Sequence, residues 1–279
     1  MYALFDIGGT NLRLAISRDG KQFSAKEIYT RPKDFAAAVV VMNMFCQKNI
    51  DKNNITGIAG SIAGTFDVKQ GVLASSPNIK EWQGKPIKNL LEDAFKMSIT
   101  LGNDADTAGL GEAVYGAGKD SEIVVYLTIS TGVGGTRIVN KTIDKNAWGF
   151  EPGHQIIEMN GKACSCGGKG HLEAYVSGAA VQKDTGKKPY DITETAFWQE
   201  KAKLLAIGLH NTIMHWSPDM VVLGGSMMKQ VGIPLDSVRA HLQKLNTMFF
   251  SLPRIEKSML GDDSGLYGAL ALLNEKSDL

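Results

Sequence analysis

The sequence predicts an α/β protein built as two lobes, and three observations support this prediction. Strand-like apolar runs alternate with helix-like segments along the chain, which is typical of sheets covered by helices. A hydrophobic-Gly-Gly-Thr pattern between two strand-like runs occurs twice, about 125 residues apart, which indicates a duplicated domain and not a short repeat. The 279 residues, 43% of them hydrophobic, are enough for one large core or two ordinary ones.

The first half of the chain contains one predicted hairpin and four further elements. "YALFDIGGTNLRLAIS" predicts a β-hairpin whose turn, at residues 7–10, needs glycine at positive φ. "PKDFAAAVVVMNMFCQKN" predicts a helix with Cys46 in the core, and "ITGIAGSIAG" predicts a buried strand. "KPIKNLLEDAFK" predicts a helix, and "NDADTAGLGEAVYGAG" predicts another that is capped by Asn103 or Asp104.

The second half repeats the pattern. "IVVYLTISTGVGGTRIV" predicts a second hairpin of the same kind, with its turn at residues 133–136. A long amphipathic helix ending before Pro218, the strand and glycine turn of "MVVLGGSMM", and the helix "GLYGALALLNE" follow. We therefore expect residues 1–116 plus about 260–279 to form the first lobe and residues 117–259 the second, joined by short connections.

Charge and terminal sequence exclude several classes of partner. Thirty basic and 29 acidic residues leave a formal charge of +1, and no basic block is interleaved with aromatic residues. Nucleic acid is therefore not an expected partner, and a small molecule is. The N-terminus has no signal-peptide pattern, and no run approaches the ~20 apolar residues of a membrane span. We expect a cytoplasmic protein.

The two Gly-Gly-Thr segments are candidate phosphate sites. Such a turn exposes backbone N–H groups and a hydroxyl without a Cβ that would block an anion. A tight hairpin that only needs glycine explains either turn alone. Two turns, one beside Asp6 and one preceded by residues 130–132, favour a nucleotide held between lobes, with Asp6 placed to hold Mg²⁺. Gly224 and Gly225 in "VVLGGS" are a candidate adenosine platform or an ordinary strand-to-helix turn.

Asn103 and Asp104 stand where a strand should end and a helix begin. Helix capping explains one of them, but two in succession at the carboxyl edge of a sheet suggest a second role. An aspartate there can accept the proton of an attacking hydroxyl, because phosphoryl transfer needs mainly positioning and charge stabilisation. Asp106 is expected on the first helical turn, where its charge suits the helix dipole.

Two cysteines and two histidines form a candidate metal site. His154, Cys164, Cys166 and His171 supply two imidazoles and two thiols within 18 residues, the donor set of tetrahedral zinc. Four protein ligands leave no open position, so this zinc would be structural. The Cys-x-Cys spacing is tighter than in zinc fingers, and free thiols in a loop are the alternative. Glu151 and Glu173, close to these ligands, are candidates for binding sugar hydroxyls.

These motifs resemble the ROK family of sugar kinases, within the actin-like ATPase superfamily. The resemblance rests on "DIGGT", "NDADTAGLGE", "STGVGG", "EPGH", "CSCGGKGHLE", "VVLGGS" and "GDDSGLYGALALL", which follow the family order over nearly the whole chain. It implies two actin-like (ribonuclease H-like) lobes, each a mixed sheet flanked by helices, that close over ATP-Mg²⁺ and a hexose. The implied reaction transfers phosphate to the 6-hydroxyl of the sugar, with glucose as the first choice, and the implied assembly is a homodimer.

The resemblance also implies individual roles. Asp104 matches the catalytic base. The positions that match sugar-binding residues are Asn78, Asn103, Asp104, Glu151, His154 and Glu173. The nucleotide-binding positions are Asp6, Gly8, Gly9, Thr10, Asn11, Thr131, Gly132, Gly134, Gly224 and Gly225. The zinc ligands are His154, Cys164, Cys166 and His171.

Three positions depart from the family pattern. His171 replaces the third zinc cysteine, Ala63 replaces a proline in "AGTFD", and Thr136 replaces a third glycine. Imidazole is also a good zinc ligand, so we keep a Cys₂His₂ site. Kinases for N-acetylglucosamine, N-acetylmannosamine or fructose remain alternatives, as does a non-catalytic sugar-binding protein. Transcriptional repressors of the family carry a helix-turn-helix domain, for which we expect no room before residue 6.

Overall fold

The computed structural model describes residues 1–50, 54–67, 70–76, 79–229 and 231–277, with side chains up to residue 274. Asn78, the predicted sugar-contacting residue, lies outside these ranges. The chain forms two compact units, Met1–Val114 with Asp263–Leu279, and Tyr115–Asp262. Each unit is described by itself below.

Twelve strands are described. They are β1 (Tyr2–Ile7), β2 (Asn11–Ser17), β3 (Phe23–Thr30), β4 (Gly57–Ile62), β5 (Thr65–Asp67), β6 (Val72–Ser75), β7 (Ile99–Asn103), β8 (Ile123–Ile129), β9 (Val133–Val139), β10 (Thr142–Ile143), β11 (Met220–Gly224) and β12 (Arg254–Lys257). Eight α-helices accompany them. They are α1 (Phe35–Asn49), α2 (Ile87–Phe95), α3 (Asp104–Val114), α4 (Glu173–Val176), α5 (Gly178–Thr185), α6 (Thr195–Trp216), α7 (Leu235–Leu245) and α8 (Ser264–Ser277).

Besides the antiparallel pair β5-β6, the described strands form two five-stranded sheets of the same topology. The first runs β3-β2-β1-β4-β7 and the second β10-β9-β8-β11-β12. In each, the first three strands are antiparallel neighbours and the remaining neighbours are parallel. Both sheets are therefore mixed, as expected for an α/β protein of two related units, and helices pack on them. Within the described residues, every helix is too short or too polar to cross a membrane.

Local sequence explains the central elements of the first unit. Strand β4 is buried along its whole length, as its small and apolar residues predict. Gly60 in it lies under the Phe5 ring, since a Cβ there would come within 2.1 Å of that ring. Helix α1 begins where the Asp34 carboxylate accepts a hydrogen bond from the Ala37 N–H at 3.0 Å, and Cys46 on it is buried in the core.

Helices α3 and α8 pack with their backbones almost in contact. A Cβ on Gly111 would lie 2.3 Å from the Ser264 carbonyl oxygen, and one on Gly268 would lie 1.7 Å from that of Thr107. At the same crossing the fully buried Glu112 carboxylate accepts a hydrogen bond from the Ser264 hydroxyl at 2.9 Å. The two helices therefore form one rigid layer behind β1, β4 and β7.

The second predicted hairpin turn is wrong in position. Strand β8 ends at Ile129 and β9 begins at Val133, so the turn is formed by residues 130–132 and the "VGGT" segment lies inside β9. Gly135 is needed there because a Cβ would lie 2.6 Å from the Tyr126 carbonyl oxygen and 2.8 Å from Pro152. The glycine thus lets the short 3₁₀ helix Pro152–His154 approach the strand.

The expected positive φ is also wrong for these turns. Gly8, Gly9, Gly134 and Gly135 all lie outside the left-handed backbone region. In the first hairpin Gly8 N–H donates to the Asn11 carbonyl at 2.9 Å, which closes the turn without a left-handed residue. Of these glycines, Gly135 provides room near the backbone and not an unusual dihedral angle.

Candidate functional site

Asp6 lies near the carboxyl end of β1, between β2 and β4. Its Oδ1 accepts a hydrogen bond from the Ser61 hydroxyl at 2.6 Å, and its Oδ2 pairs with the Arg13 guanidinium at 3.1 Å. Arg13 and Ser61 are its register partners on the two neighbouring strands. On the remaining side Gly265 of α8 comes so close that a Cβ would lie 2.9 Å from the Asp6 carboxyl carbon. Asp6 is therefore held by three elements, with its charge partly balanced by Arg13.

Asp104 is the first residue of α3, directly after β7, and is partly buried. Burial, and then the negative charge of Asp6, raise the pKa of Asp104 to about 7. Backbone hydrogen bonds to its carboxylate, from Ala105 and Gly64 among others, act in the opposite direction. A carboxylate with a pKa near neutrality is suited to exchange a proton with a substrate hydroxyl.

Asn103 caps α3. Its Oδ1 accepts hydrogen bonds from the N–H groups of Ala105 at 2.8 Å and Asp106 at 3.2 Å, and its Nδ2 donates to the Gly64 carbonyl at 2.8 Å. The cap predicted at Asn103 or Asp104 is thus made by Asn103. One amide hydrogen of Asn103 has no acceptor among the described residues and is the group that could donate to a sugar hydroxyl. Asp106 lies in the first turn of α3, as predicted.

In the second unit, three segments meet at the turn of residues 130–132. The N–H groups of Gly178 and Ala179, at the start of α5, donate to the carbonyls of Ser130 at 2.7 Å and Thr131 at 3.1 Å. The Ser130 hydroxyl lies 3.3 Å from that of Ser226, which follows the Gly224-Gly225 turn. These bonds bring the predicted phosphate turn and the predicted adenosine platform together.

The Gly225 turn uses a left-handed conformation, with φ of 91°. A Cβ at Gly225 would lie 2.2 Å from the Ile129 carbonyl oxygen, so this position accepts only glycine. A Cβ at Gly224 would lie 2.4 Å from the Tyr126 hydroxyl. The end of β11 therefore packs directly on the end of β8, next to the turn of residues 130–132.

Glu173, the first residue of α4, connects the same turn to the cysteine loop. Its Oε2 accepts the Val133 N–H at 2.9 Å, and a Cβ on Gly132 would lie 2.7 Å from that oxygen. Its Oε1 accepts from the Ser165 hydroxyl at 3.2 Å and lies 3.9 Å from the Cys164 sulfur. Both carboxylate oxygens of Glu173, which was predicted to bind sugar hydroxyls, therefore have partners within the protein.

The four predicted metal ligands come together. The ligand atoms of His154, Cys164, Cys166 and His171 all lie within 4.8 Å of one another. Cys166 Sγ is 3.2 Å from His171 Nδ1, and Cys164 Sγ is 3.8 Å from His154 Nδ1. Tetrahedral zinc with Zn–N and Zn–S bonds of usual length separates its ligands by about 3.3–3.8 Å. The donor set and its spacing thus fit zinc after a small contraction.

Glu151 and His154 lie at the two ends of the same short segment. Glu151 is exposed, and its Oε2 is 3.8 Å from His154 Nε2, the ring nitrogen opposite the one that faces Cys164. A carboxylate next to the second nitrogen of a metal-binding histidine is a common arrangement. Of the predicted sugar ligands in this unit, Glu151 therefore has the carboxylate with most freedom to bind a further group.

A sequence model of the ROK family matches residues 2–276. The chain belongs to the ROK family. Among similar proteins, a glucokinase from Thermotoga maritima is 25% identical over 307 residues, covering 97% of this chain and 96% of that one. A xylose repressor from Bacillus spizizenii is 28% identical over 242 residues, covering 79% of this chain. The chain spans 62% of the length of that repressor.

Solved ROK structures show the same fold. A ROK hexokinase from Thermus thermophilus matches with a TM-score of 0.85 and 27% identity, over 100% of this chain and 99% of that one. A ROK glucokinase from Streptomyces griseus, in complex with glucose and AMPPNP, matches with a TM-score of 0.79 and 22% identity, over 96% and 97%. These matches confirm the predicted actin-like ATPase fold.

Several residues that hold the site were missed at the sequence level. Arg13 and Ser61 contact Asp6 across strands, and no local pattern shows which residues become neighbours in a sheet. Lys201 on α6 is buried and donates to the Tyr175 carbonyl at 2.7 Å, which fixes the end of α4. A lysine within an apolar helical stripe is the one signal that would have pointed to it.

Proposed function

We propose that this ROK protein is an ATP-dependent hexose kinase that transfers the γ-phosphate of ATP to the 6-hydroxyl of its sugar. The observation that carries the proposal is Asp104, partly buried at the junction of β7 and α3 with a pKa raised to about 7. Kinases and repressors occur among the relatives of this chain, and a sugar sensor needs no proton acceptor at this point. The titrating carboxylate favours the enzyme.

In the proposed reaction Asp104 accepts the proton of the sugar 6-hydroxyl as the oxygen attacks the γ-phosphorus. The new O–P bond forms while the bond to the ADP oxygen breaks, and the proton remains on the Asp104 carboxylate until water removes it. A pKa near 7 suits both halves of this cycle, because the group ionises before the reaction and releases its proton afterwards.

Asp6 fits the role of a Mg²⁺ partner in part. Its carboxylate is 13% exposed, so a metal-bound water can reach it beside the Ser61 hydroxyl and the Arg13 guanidinium. The Arg13 pair reduces its negative charge, so a contact to Mg²⁺ through water fits better than direct coordination. When bound, Mg²⁺ would neutralise the charge of the ATP phosphates.

The glycine turns supply the nucleotide-binding groups of the proposal. Gly9, Thr10 and Asn11 of the first unit, and Thr131, Gly132 and Gly134 of the second, would bind phosphate through backbone N–H groups, and Gly224 with Gly225 would face the adenosine. Gly8, whose own N–H donates to the Asn11 carbonyl, would shape the first turn. Gly225 supports this, because a Cβ there would lie 2.2 Å from the Ile129 carbonyl oxygen, and so do Gly132 and Gly224, where a Cβ would meet the side chains of Glu173 and Tyr126.

His154, Cys164, Cys166 and His171 would hold a structural zinc ion. The support is the four-ligand cluster within 4.8 Å, and His171 takes part in it although the family pattern has cysteine there. The ion would fix the loop that carries Ser165, the partner of Glu173, and would hold the His154 ring next to Glu151. Chemistry at the metal itself is not part of the proposal.

A sugar panel tests the function. The purified protein, ATP and Mg²⁺ are incubated with glucose, fructose, mannose, N-acetylglucosamine and N-acetylmannosamine, and ADP release is measured for each, with Asp104→Asn as background control. We expect ADP release to depend on sugar and to be fastest with glucose. Faster ADP release with an N-acetylhexosamine or with fructose than with glucose would indicate one of the alternative kinases. Equal, background-level release with every sugar would instead favour a non-catalytic sugar-binding protein.

A further inference from the structure

The second unit exposes an apolar surface at the edge of its sheet where α6 and α7 end. Six large apolar side chains there are each more than one-third exposed, namely Trp148, Met214, Leu245, Met248, Phe249 and Phe250. Single exposed apolar residues are normal, but a contiguous group of them marks an interaction site. We call these six residues the apolar edge, and the proposed reaction does not use them.

Sheet topology brings two of the three contributing segments together. Strands β11 and β12 are parallel neighbours that begin side by side, with Met220 opposite Arg254. Helix α6 leads into the start of β11 and α7 leads into the start of β12, so both helices end at the same edge of the sheet. The two helices also pack against each other. Met214, near the end of α6, and residues 245–250, at the end of α7, therefore lie at this edge.

The third segment is fastened to the end of α6. The Phe150 ring packs edge-on against the Trp216 ring, with the two centroids 5.1 Å apart. Arg137 connects the other end of the segment to the same place, because its Nε donates to the Trp216 carbonyl at 3.0 Å while its guanidinium pairs with Asp144. Trp148, two residues before Phe150, is thus held close to the end of α6.

The two loops that carry four of the six side chains are ordered by turns. Asn146 Oδ1 accepts from the Gly149 N–H at 2.8 Å, and Asn246 Oδ1 accepts from the Phe249 N–H at 3.1 Å. Asn246 Nδ2 also donates to the Phe249 carbonyl at 3.0 Å. A partner that binds these loops therefore has little backbone order to impose, which lowers the entropic cost of binding.

The composition and size of the apolar edge fit a second copy of the chain. Residues 146–150 and 245–253 contain no charged side chain, as is typical of the core of a protein interface. Trp148 is 93% exposed, Met248 is 73% exposed and Phe250 is fully exposed. Together the six residues present on the order of 700 Å², close to the ~800 Å² that each partner contributes to a standard interface. A two-fold pair would cover the same residues on both chains.

We infer that the apolar edge is the interface of a two-fold dimer of this chain. The family resemblance implies a dimer but identifies no surface for it, whereas the exposed side chains give its location. All six residues belong to the second unit, and none takes part in the proposed reaction. The inference is therefore independent of the proposed function, and each can fail without the other.

Sedimentation equilibrium of the full-length protein, from low micromolar concentrations upwards, measures the association. We expect wild type to have the mass of two chains. Phe250→Glu and Met248→Glu should each raise the dissociation constant of the dimer by about 30-fold or more, because an unpaired charge is then buried in the interface. Met44→Glu, at an exposed apolar position on α1 of the first unit, is the matched control and should remain dimeric. Thermal unfolding establishes that each variant folds.

The fluorescence of Trp148 provides a second measurement without an introduced charge. Trp82 and Trp198 are buried and Trp216 is partly buried, so dilution of the dimer should uncover mainly Trp148. Its emission should shift to the red and become more accessible to iodide, and Trp148→Phe should lack both changes. A wild type that is monomeric at every concentration, or a dimer that both glutamate variants leave intact, overturns the inference. So does a monomer that binds phospholipid vesicles, since lipid would then be the partner of the apolar edge.

Discussion

The candidate sites of the two units are built in different ways. In the first unit, Asp6 and Asp104 lie at the ends of β1 and β7, and strands and helices fix their positions. In the second unit, Glu173 and the four zinc-ligand candidates belong to short segments that are fixed by cross-links between side chains and backbone. The difference shows that similar sheets can hold their functional groups by regular structure in one case and by bonded loops in the other.

The largest effect is expected where the group itself reacts. Asp104→Asn should keep the fold and the α3 junction but lower kcat by about 10²–10⁴, because the amide cannot accept the proton. Steady-state turnover with the best sugar measures this. Asp106→Asn, two residues along in the same first turn of α3, should change kcat by no more than about threefold. Turnover at the wild-type level in Asp104→Asn would remove Asp104 from the role of base.

The same variant should be more stable than wild type at alkaline pH. The folded pKa of Asp104, about 7, exceeds the ordinary value of 3.8, so between these values the folded chain holds a proton that the unfolded chain has lost. Wild-type stability therefore falls as pH rises through this window, by up to a few kcal/mol, and Asn abolishes that fall. Thermal melts from pH 4 to 8 should show a growing difference that levels off above pH 7; a constant difference contradicts the shifted pKa.

The pH dependence of wild-type activity should follow the ionisation of Asp104. Because the carboxylate form of Asp104 is the active one, kcat/KM should fall about tenfold per pH unit below pH 7 and level off above it. The profile is measured under conditions where ATP and Mg²⁺ are saturating at every pH. A plateau that extends down to pH 5 would indicate that the pKa of the base lies near that of an ordinary aspartate.

In the second unit, removal of a metal ligand tests the cross-linked loop. Protein purified without chelator should contain about one zinc per chain, and Cys164→Ser should lose it and lower the Tm by about 5–10 °C. Cys46→Ala, in the core of the first unit, should keep the metal. His171→Cys restores the family pattern and should also keep it. Fully active wild-type protein that is free of metal would contradict the zinc proposal.

The smallest effect is expected at Glu173. Glu173→Gln keeps the shape and one acceptor oxygen but replaces the other by a donor, so the Val133 N–H or the Ser165 hydroxyl loses its partner. We expect a rise in the KM for ATP of about three- to tenfold with kcat little changed, since one hydrogen bond to a charged group is lost. Glu200→Gln, exposed on α6, serves as control. A rise in the sugar KM alone would show that Glu173 binds the sugar.

The sequence predicted the parts of the site that depend on local structure better than those that depend on bonds between distant segments. The junction of β7 and α3 was predictable because an apolar run followed by a capping residue specifies both elements locally. The bonds of Asn103 to Gly64 and of Glu173 to Val133 were not, because these partners lie far away in sequence. The "VGGT" segment was placed in a turn because its letters repeat those of the first hairpin, whereas the packing of Pro152 explains its second glycine.

The close crossing of α3 and α8 has a consequence for dissecting the protein. The first unit is interrupted in sequence by residues 115–262, yet Glu112 and Ser264, next to the two ends of the interruption, share a 2.9 Å hydrogen bond. A linker of a few residues is long enough to join these ends. The first unit is thus a discontinuous domain whose two chain ends, at residues 114 and 263, lie close together. A shortened chain that joins these ends directly would retain α8, which residues 1–114 alone would lack.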